Sequence, residues 1–229
     1  MANISVVTKK RILDTNDQEA AKTREAFKEA GLFAVNLISS PGSGKTTLLE
    51  KTIEKLNPEQ NSAVIVGDLE TSRDAERVAP FAKEVVQINT GLSCHLYANQ
   101  IQESLKGLNL SEIDFCFIEN VGNMVCPGEF DLGENAKIIL LSTPEGDDKV
   151  AKYPTIFRAA DLVLLTKCDL LKVLDFNMDR VKEDIYKLNS NVKIIELSSL
   201  SGQGMEEWLS WLKDNRTSFI GAKAKFVTE

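Results

Sequence analysis

The chain has 229 residues, a formal net charge of −7 and 43% hydrophobic residues. This length fits one large domain or two small ones, and the hydrophobic content is sufficient for a buried core. No apolar run reaches the roughly 20 residues that cross a bilayer, and the first residues lack the apolar stretch of a secretory signal. We therefore expect a cytoplasmic protein that does not bind membranes, and the acidic balance argues against binding to nucleic acid.

Short apolar segments alternate with longer polar segments of helical pattern along most of the chain. The predicted strands are AVNLIS from Ala34, SAVIVGD from Ser62, VVQIN from Val85, DFCFIE from Asp114, AKIILLS from Ala136, DLVLLT from Asp161 and KIIELS from Lys193. Helices are predicted over residues 16–30, 46–57, 73–83, 96–108 and 178–188, with a last one from residue 204 through 211. The strands are nearly continuous apolar runs, which is typical of a sheet covered on both faces. We therefore predict a three-layer α/β domain with a mostly parallel sheet of about seven strands flanked by helices.

The first strand is followed by the segment SSPGSGKT, from Ser39 to Thr46, and then by a helical pattern. This is the arrangement of a P-loop, with Ser39 at the position of the usual first glycine. The glycines allow a tight turn whose N–H groups point at phosphate oxygens, Lys45 can reach the β- and γ-phosphates, and the Thr46 hydroxyl can ligate Mg²⁺. The sequence predicts a P-loop NTPase domain. Its phosphate-binding residues are predicted to be Gly42, Ser43, Gly44, Lys45, Thr46 and Thr47.

The choice of base is predicted from a later strand end, where TKCD resembles the guanine-specificity sequence N-K-x-D with threonine in place of asparagine. The Asp169 carboxylate can accept hydrogen bonds from the ring N–H and the exocyclic amine of guanine, a donor pair that adenine lacks. The segment SSL follows the last strand, where GTPases place a loop that contacts the guanine from the other side. These segments favour GTP over ATP. The base-contacting residues are predicted to be Thr166, Lys167, Asp169, Ser198, Ser199 and Leu200.

Residues 119–122, ENVG, end the fourth predicted strand with an acidic residue followed by x-x-Gly. This pattern is what the switch-II segment of a GTPase needs, because Glu119 can hold Mg²⁺ directly or through water and the Gly122 N–H can meet the γ-phosphate. Asp68, at the end of the second strand, is a further magnesium candidate with which Glu70 and Asp74 compete. The predicted catalytic residues are Lys45, Thr46, Glu119 and Gly122. The predicted Mg²⁺ ligands are Thr46, Asp68, Asp74 and Glu119.

The only histidine and two of the four cysteines fall in loops that follow strand ends. Loops at the carboxyl ends of parallel strands gather at one edge of the sheet, so we expect Cys94, His95 and Cys126 to meet there. This ligand set suits Zn²⁺, Ni²⁺ or Cu, and an open fourth position implies exchangeable metal or completion by a second copy of the chain. Cys116, in an apolar strand, and Cys168, in the guanine loop, are not expected to be ligands. No disulfide framework is evident, which fits a reducing compartment.

Six segments carry a resemblance to a known family: SSPGSGKTTLLE, GDLETSRDAERV, NTGLSCHLYANQI, FIENVGNMVCPGEFDLGE, TPEGDDKVAKYP and TKCDLL. In these segments the chain resembles the hydrogenase nickel-incorporation GTPases, accessory proteins that help to mature [NiFe] hydrogenase. The segments ENVGNMVCP and EGDDKVAKYP are far more specific than the P-loop.

The resemblance implies a dimerising metallochaperone GTPase of the class that includes the urease and cobalamin-enzyme chaperones. It implies that Cys94, His95 and Cys126 bind Ni²⁺ or Zn²⁺ near the dimer interface. It also implies a homodimer that depends on nucleotide and metal, and two partners, a second hydrogenase nickel accessory protein and the hydrogenase large subunit. The residues that it assigns to the nucleotide and its magnesium are Lys45, Thr46, Asp68, Glu119 and Asp169.

We expect GTP and Mg²⁺ to order two switch segments, around residues 68–74 and 119–122. We expect Cys126 to move with the second, the switch-II segment, because it follows closely in the chain. Loss of the γ-phosphate would then loosen the metal site or the dimer, which couples slow GTP hydrolysis to metal release. Some family members carry a cysteine-rich or histidine-rich nickel-storage segment, and this sequence holds no cysteine before Cys94 and no second histidine. We therefore expect metal handling by the Cys94, His95 and Cys126 site alone.

The predicted domain bounds are an N-terminal segment and helix over residues 1–31, the GTPase domain over 32–217 and a flexible tail over 218–229. Three alternatives to this function stay open at this stage. The client could be urease or a cobalamin enzyme, the nucleotide site could be degenerate in a protein that only binds metal, or the cysteines could be structural.

Overall fold

Seven parallel strands form one sheet within the part of the chain that the computed structural model describes, residues 9–226 for the backbone and 13–222 for the side chains. The strand order is β3-β2-β4-β1-β5-β6-β7, so β1 lies at the centre between β4 and β5. The strands are β1 (Phe33–Ser39), β2 (Ser62–Asp68), β3 (Glu84–Asn89), β4 (Phe115–Glu119), β5 (Ala136–Ser142), β6 (Leu162–Thr166) and β7 (Lys193–Glu196). The predicted sheet is confirmed, and it is parallel throughout.

Helices cover both faces of the sheet, as the uninterrupted apolar strands predict. They are α1 (Lys9–Ala30), α2 (Lys45–Leu56), α3 (Arg73–Val78), α4 (Ala98–Leu105), α5 (Lys149–Lys152), α6 (Pro154–Arg158), α7 (Met178–Leu188) and α8 (Met205–Phe226). One face packs against α2, α3 and α8. The other face packs against α1 and α4 at one end and against α5, α6 and α7 at the other. The molecule is therefore a three-layer α/β domain.

The largest buried side chain joins α8 to α2 beneath the sheet. Trp208 is fully buried, and its indole Nε1–H donates a hydrogen bond to Thr52 Oγ1 at 2.8 Å. Trp211 packs against the same core cluster, with its ring stacked on that of Trp208. The last helix therefore packs its aromatic residues on the core of the sheet. These contacts fix α2, whose first turn carries the P-loop lysine.

Strand register brings the predicted site residues to one edge of the sheet. Glu119, the last residue of β4, lies opposite Leu37 of β1 and Val66 of β2. Thr166, the last residue of β6, lies opposite Ser142 of β5. Ligands of open α/β sheets bind at the carboxyl ends of the strands, which is where these residues lie.

Four helices differ from the prediction by more than one residue at an end, and one of them, α4, is shorter at both ends than the predicted 96–108. Helix α3 ends at Val78 rather than near residue 83, because Pro80 lacks the N–H that would continue the helical hydrogen bonds after Ala79. Helix α1 begins at Lys9 rather than at residue 16, and it is followed by Gly31, whose φ of 72° is typical of the residue that ends a helix. Helix α8 continues to Phe226, through residues for which the sequence predicts an aperiodic, mobile tail.

The added length of α8 is explained by a tertiary contact, since the Phe219 ring packs against Phe33 with 6.0 Å between ring centroids.

Residues 1–8 and 227–229 of the predicted terminal segments lie outside the described part of the chain, and the domain bounds stay a prediction. Within the described residues, no helix combines the length and apolar character needed to cross a membrane.

Candidate functional site

The turn between β1 and α2, residues 40–44, has the conformation of a phosphate-binding loop. Gly42 and Gly44 have φ values of 76° and 98°, in the left-handed region that favours glycine. The turn ends at the N-terminus of α2, where free backbone N–H groups and the helix dipole favour an anion. Lys45 is buried, and its Nζ donates to Ser39 Oγ at 3.0 Å. Ser39, in place of the usual glycine, therefore holds the P-loop lysine in this structure.

The phosphate loop forms one wall of a cavity of about 470 Å³. All the residues that the sequence assigns to catalysis and to Mg²⁺ line this cavity. The predicted residues along its walls are Gly42, Gly44, Lys45, Thr46, Thr47, Asp68, Asp74, Glu119, Gly122 and Lys167. Glu70, the third acidic candidate for magnesium, is not among them.

Glu119 is 3% exposed and lies beside the first turn of α2. Its Oε1 accepts a hydrogen bond from the Thr46 hydroxyl at 2.7 Å, whereas its buried Oε2 has no hydrogen-bond partner among the described residues. Burial raises the pKa of Glu119 to about 7, against the opposing effect of the nearby Lys45 ammonium. Burial also lowers the pKa of Lys45, although Glu119 counteracts this. An unpartnered carboxylate oxygen next to a hydroxyl fits a divalent cation, so these residues suit Mg²⁺.

The other two acidic residues of the cavity wall differ in their surroundings. Asp68 ends β2, and its Oδ1 accepts from the N–H groups of Glu70 at 3.0 Å and Thr71 at 2.7 Å. Burial opposes ionisation of Asp68, but these hydrogen bonds outweigh burial and lower its pKa. Asp74 lies in the first turn of α3, 3.7 Å from an Arg77 nitrogen. The loop hydrogen bonds therefore favour the ionised form of Asp68, whereas burial disfavours the ionised form of Glu119.

The switch-II segment, residues 119–122, packs directly on the phosphate loop. A Cβ atom added to Gly122 would lie 3.0 Å from Pro41 Cα and 3.1 Å from Pro41 N. Only glycine allows this approach without displacing the loop. The Gly122 backbone is thereby held beside the position where phosphate oxygens would lie.

A second cavity, of about 250 Å³, adjoins the first and shares Gly44, Thr47 and Lys167 with it. The structure brings together here all the residues predicted to contact the base, from two loops that are distant in sequence. The lining residues are Ser43, Gly44, Thr47, Thr166, Lys167, Asp169, Leu170, Ser198, Ser199 and Leu200.

Polar contacts within this second cavity explain the departure from N-K-x-D. Thr166 Oγ1 donates to the Ser43 carbonyl at 2.9 Å, and Lys167 Nζ donates to the Gly42 carbonyl at 2.6 Å. Both side chains thus fasten the base cavity to the phosphate loop. Asp169 Oδ1 accepts from Ser198 Oγ at 2.5 Å, which orients the carboxylate towards the cavity from its neighbouring loop. Threonine at position 166 therefore supports the phosphate loop through its hydroxyl.

Cys94, His95 and Cys126 form a cluster whose ligand atoms all lie within 4.8 Å of one another. The sulfurs of Cys94 and Cys126 are 2.9 Å apart, and His95 Nδ1 lies 3.7 Å from the Cys94 sulfur. Sulfur and imidazole donors at this spacing suit Ni²⁺ or Zn²⁺. Cys116 and Cys168 are buried elsewhere, and burial raises the pKa of Cys116 to about 12 and that of Cys168 to about 11.

Aromatic packing holds the His95 ring in the cluster. The ring stacks on Phe130 with 3.9 Å between centroids and meets Tyr97 edge-on at 4.4 Å. Burial lowers the pKa of His95, against the opposing charge of Glu129, so the imidazole is neutral at pH 7 and keeps a lone pair for a metal. The hydrogen bond from Cys94 to Cys126, together with burial, raises the pKa of Cys94. A metal must therefore displace protons from the thiols when it binds.

The domain model CobW/HypB/UreG, nucleotide-binding domain, matches residues 33–196. The hydrogenase maturation factor HypB of Azotobacter chroococcum mcd 1 is 47% identical over 212 residues, which cover 93% of this chain and 70% of that protein. The hydrogenase/urease maturation factor HypB of Helicobacter hepaticus (strain ATCC 51449 / 3B1) is 42% identical over 218 residues, 93% of this chain and 88% of that one.

The crystal structure of HypB from Helicobacter pylori in complex with nickel aligns with a TM-score of 0.84 and 42% identity, covering 89% of this chain and 96% of that chain. The chain belongs to the HypB group of the CobW/HypB/UreG family. The family resemblance and the P-loop nucleotide-binding fold are thereby confirmed.

The structure also places around the phosphate loop two polar residues that sequence reasoning missed. Arg77 lines the phosphate cavity and donates to Thr47 Oγ1 and to both carboxylate oxygens of Glu50, each at 2.9 Å. Its position three residues after Asp74 on a helix, and so on the same face, is a signal that could have found it. Glu145 accepts from Ser43 Oγ at 2.6 Å, behind the phosphate loop. No sequence motif indicates this contact, because it joins segments that are far apart in the chain.

Proposed function

We propose that this chain is a GTP-hydrolysing metallochaperone that binds Ni²⁺ or Zn²⁺ and supports nickel insertion into [NiFe] hydrogenase. In this proposal, the nucleotide state is coupled to homodimer formation and to metal release. The observation that carries the proposal is the position of the switch-II segment, which begins with Glu119 in the phosphate cavity and leads directly to Cys126 in the metal cluster. A movement of this segment would change both sites together.

In the proposed reaction, the phosphate loop binds the GTP phosphates and Lys45 moves from Ser39 to the β- and γ-phosphates. Thr46, Glu119 and Asp68 hold Mg²⁺, which supplies positive charge against the phosphate oxygens when it is bound. Asp169 accepts hydrogen bonds from guanine, and the Gly122 N–H donates to the γ-phosphate. After hydrolysis Gly122 loses this acceptor, and the switch-II segment becomes free to move.

The surroundings of the metal cluster support a homodimer. Leu92 and Val125 are exposed hydrophobic residues in the loops that carry Cys94 and Cys126, and Leu69 is exposed beside Asp68. Apolar side chains around a three-ligand site favour contact with a second copy, which could also limit metal exchange. The further partners in this proposal are a second nickel accessory protein and the hydrogenase large subunit. Because a Helicobacter hepaticus relative is named for hydrogenase and urease, urease is a second candidate client.

The proposal is tested by measuring nickel affinity with GDP and with a non-hydrolysable GTP analogue, both with Mg²⁺, alongside the mass in solution. We expect nickel to bind on the order of tenfold more tightly with the analogue, and dimer to form under those conditions. Equal affinities would exclude the coupling. Metal binding without any GTP hydrolysis would point instead to a degenerate nucleotide site. Metal content that is unchanged in Cys94→Ala would point to structural cysteines.

Asp169→Asn is expected to shift the base preference from guanine to xanthine. The amide offers a donor where the carboxylate accepts from guanine, and a donor complements the 2-oxo group of xanthine. Ser198 can still donate to the remaining oxygen, so the loop geometry is kept. We expect about 10- to 100-fold weaker GDP binding and a comparable gain for xanthosine diphosphate, measured by fluorescent-nucleotide displacement. Asp175→Asn, at an exposed site outside the cavity, is the control, and a variant Asp169→Asn that keeps its guanine preference would contradict the base assignment.

A further inference from the structure

A buried asparagine joins the nucleotide cavity to the metal-binding loop. Asn120 follows Glu119 at the end of β4, is 1% exposed and lines the phosphate cavity. Its Oδ1 accepts hydrogen bonds from the Val121 N–H at 3.0 Å and from the Leu96 N–H at 3.3 Å. Leu96 directly follows His95, so one side chain connects the switch-II segment to the backbone of a metal ligand.

A chain of buried hydrogen bonds fixes the orientation of the Asn120 amide. Its Nδ2 donates to Asn36 Oδ1 at 3.2 Å, and Asn36 Nδ2 donates to Glu134 Oε1 at 3.1 Å. Glu134 Oε2 accepts from the Leu132 N–H at 2.7 Å, which anchors the chain of buried amides in the loop before β5. Buried polar groups joined in this way resist reorientation, because breaking one bond leaves a buried group unpaired. Displacement of Asn120 would therefore move Leu96 rather than rotate the amide.

The metal loop, residues 91–96, is tied to the nucleotide cavity at further points. Asn123 Nδ2 donates to the Cys94 carbonyl at 3.2 Å, just beyond the switch-II segment. The Gly91 N–H donates to the Leu69 carbonyl at 3.2 Å, next to Asp68. Cys126 follows the switch-II segment closely in the chain, so the backbone itself connects the two. Asn120 is distinctive because it is buried, contacts the phosphate cavity and binds the loop immediately after His95.

We propose that Asn120 is the positioning residue that transmits the nucleotide state to the metal loop. The inference rests on the coupling in the proposed function and adds the residue through which it acts. When the γ-phosphate holds the Gly122 N–H, Asn120 is held with it, and the Leu96 N–H keeps His95 in place to meet Cys94 and Cys126. When the γ-phosphate is lost, the shift of Asn120 moves His95 relative to the sulfurs.

The test compares nickel affinities for wild type, Asn120→Ala and Asn36→Ala, each saturated with GDP or with a non-hydrolysable GTP analogue. The readout is the ratio of the two nickel affinities, which a general loss of stability or of nucleotide affinity does not change. We expect a wild-type ratio on the order of ten and a ratio within about twofold of one for Asn120→Ala. Asn36→Ala leaves the Leu96 contact but removes the hydrogen bond that keeps the Asn120 amide from rotating, so it is expected to give a ratio between these two values.

The outcomes separate this inference from the proposed function. A wild-type ratio of one would overturn the coupling and with it the role of Asn120. A wild-type ratio that Asn120→Ala retains would overturn only the role of Asn120. If Asn120→Ala fails to fold, the Leu96 amide signal of metal-free wild type is followed by ¹H–¹⁵N NMR. The proposal expects a shift between the GDP and analogue states, and an unchanged signal would overturn it.

Discussion

Glu119→Gln is expected to lower the rate of GTP hydrolysis by about 10²–10³-fold while making the free protein more stable at pH 8. The hydrolysis rate falls because an amide cannot supply the negative charge that the proposed magnesium site needs. The stability rises because the variant no longer buries an ionised carboxylate. Burial raises the pKa of Glu119 to about 7 from a usual 4.5. The folded protein therefore binds more protons than the unfolded chain between these values, and its stability falls as the pH rises through that window.

The stability gain should be absent below about pH 4.5 and complete above about pH 7. A shift of this size corresponds to about 3 kcal/mol, and we expect about 1–3 kcal/mol because Lys45 loses a neighbouring carboxylate. Urea unfolding at pH 4.5 and pH 8 measures the gain, and single-turnover phosphate release measures the rate.

Glu145→Gln is the matched control for this prediction. Like Glu119, Glu145 has a buried Oε2 without a partner among the described residues, and its Oε1 accepts from a P-loop side chain, Ser43. It does not line the phosphate cavity, so we expect turnover within about fivefold of wild type. Near-normal turnover in Glu119→Gln would remove Glu119 from the site. Unchanged stability of Glu119→Gln at pH 8 would show that burial of the ionised Glu119 carboxylate does not destabilise the fold.

Much of the fold follows from local sequence patterns. The bounds of β2, β5 and α7 match the prediction, because their apolar runs and helical periods end where polar segments begin. Differences arise where a distant residue decides the outcome. The last turns of α8 are an example, since Phe219 packs on Phe33 from the other end of the chain and no local period signals this contact.

Part of the candidate site likewise follows from local sequence patterns, and part depends on contacts between distant residues. Residue types at strand ends place the phosphate, base and metal candidates together, because parallel strands bring those ends to one edge. Sequence alone did not indicate that Thr166 would bond to the Ser43 carbonyl, or that Asn120 would reach Leu96. Both are single hydrogen bonds between segments far apart in the chain. Their donors and acceptors are set by packing and leave no spacing pattern.

Cys126→Ala is expected to weaken Ni²⁺ and Zn²⁺ binding by at least about 100-fold, because it removes one of three ligands. At pH 7 the wild-type cluster should release about two protons per metal ion, one from each thiol, and the variant about one. Calorimetry in buffers of different ionisation enthalpy gives both the affinity and the proton count.

Cys168→Ala is the control for loss of a buried thiol. Its sulfur donates to the Leu165 carbonyl at 3.0 Å, away from the cluster, so metal affinity and proton release should match wild type. Normal nickel affinity in Cys126→Ala would mean that the metal is held elsewhere. A proton count of two in that variant would mean that another thiol replaces Cys126. A fall in both quantities for Cys126→Ala alone identifies Cys126 as a metal ligand, and therefore attaches the metal to the chain segment that begins in the nucleotide cavity.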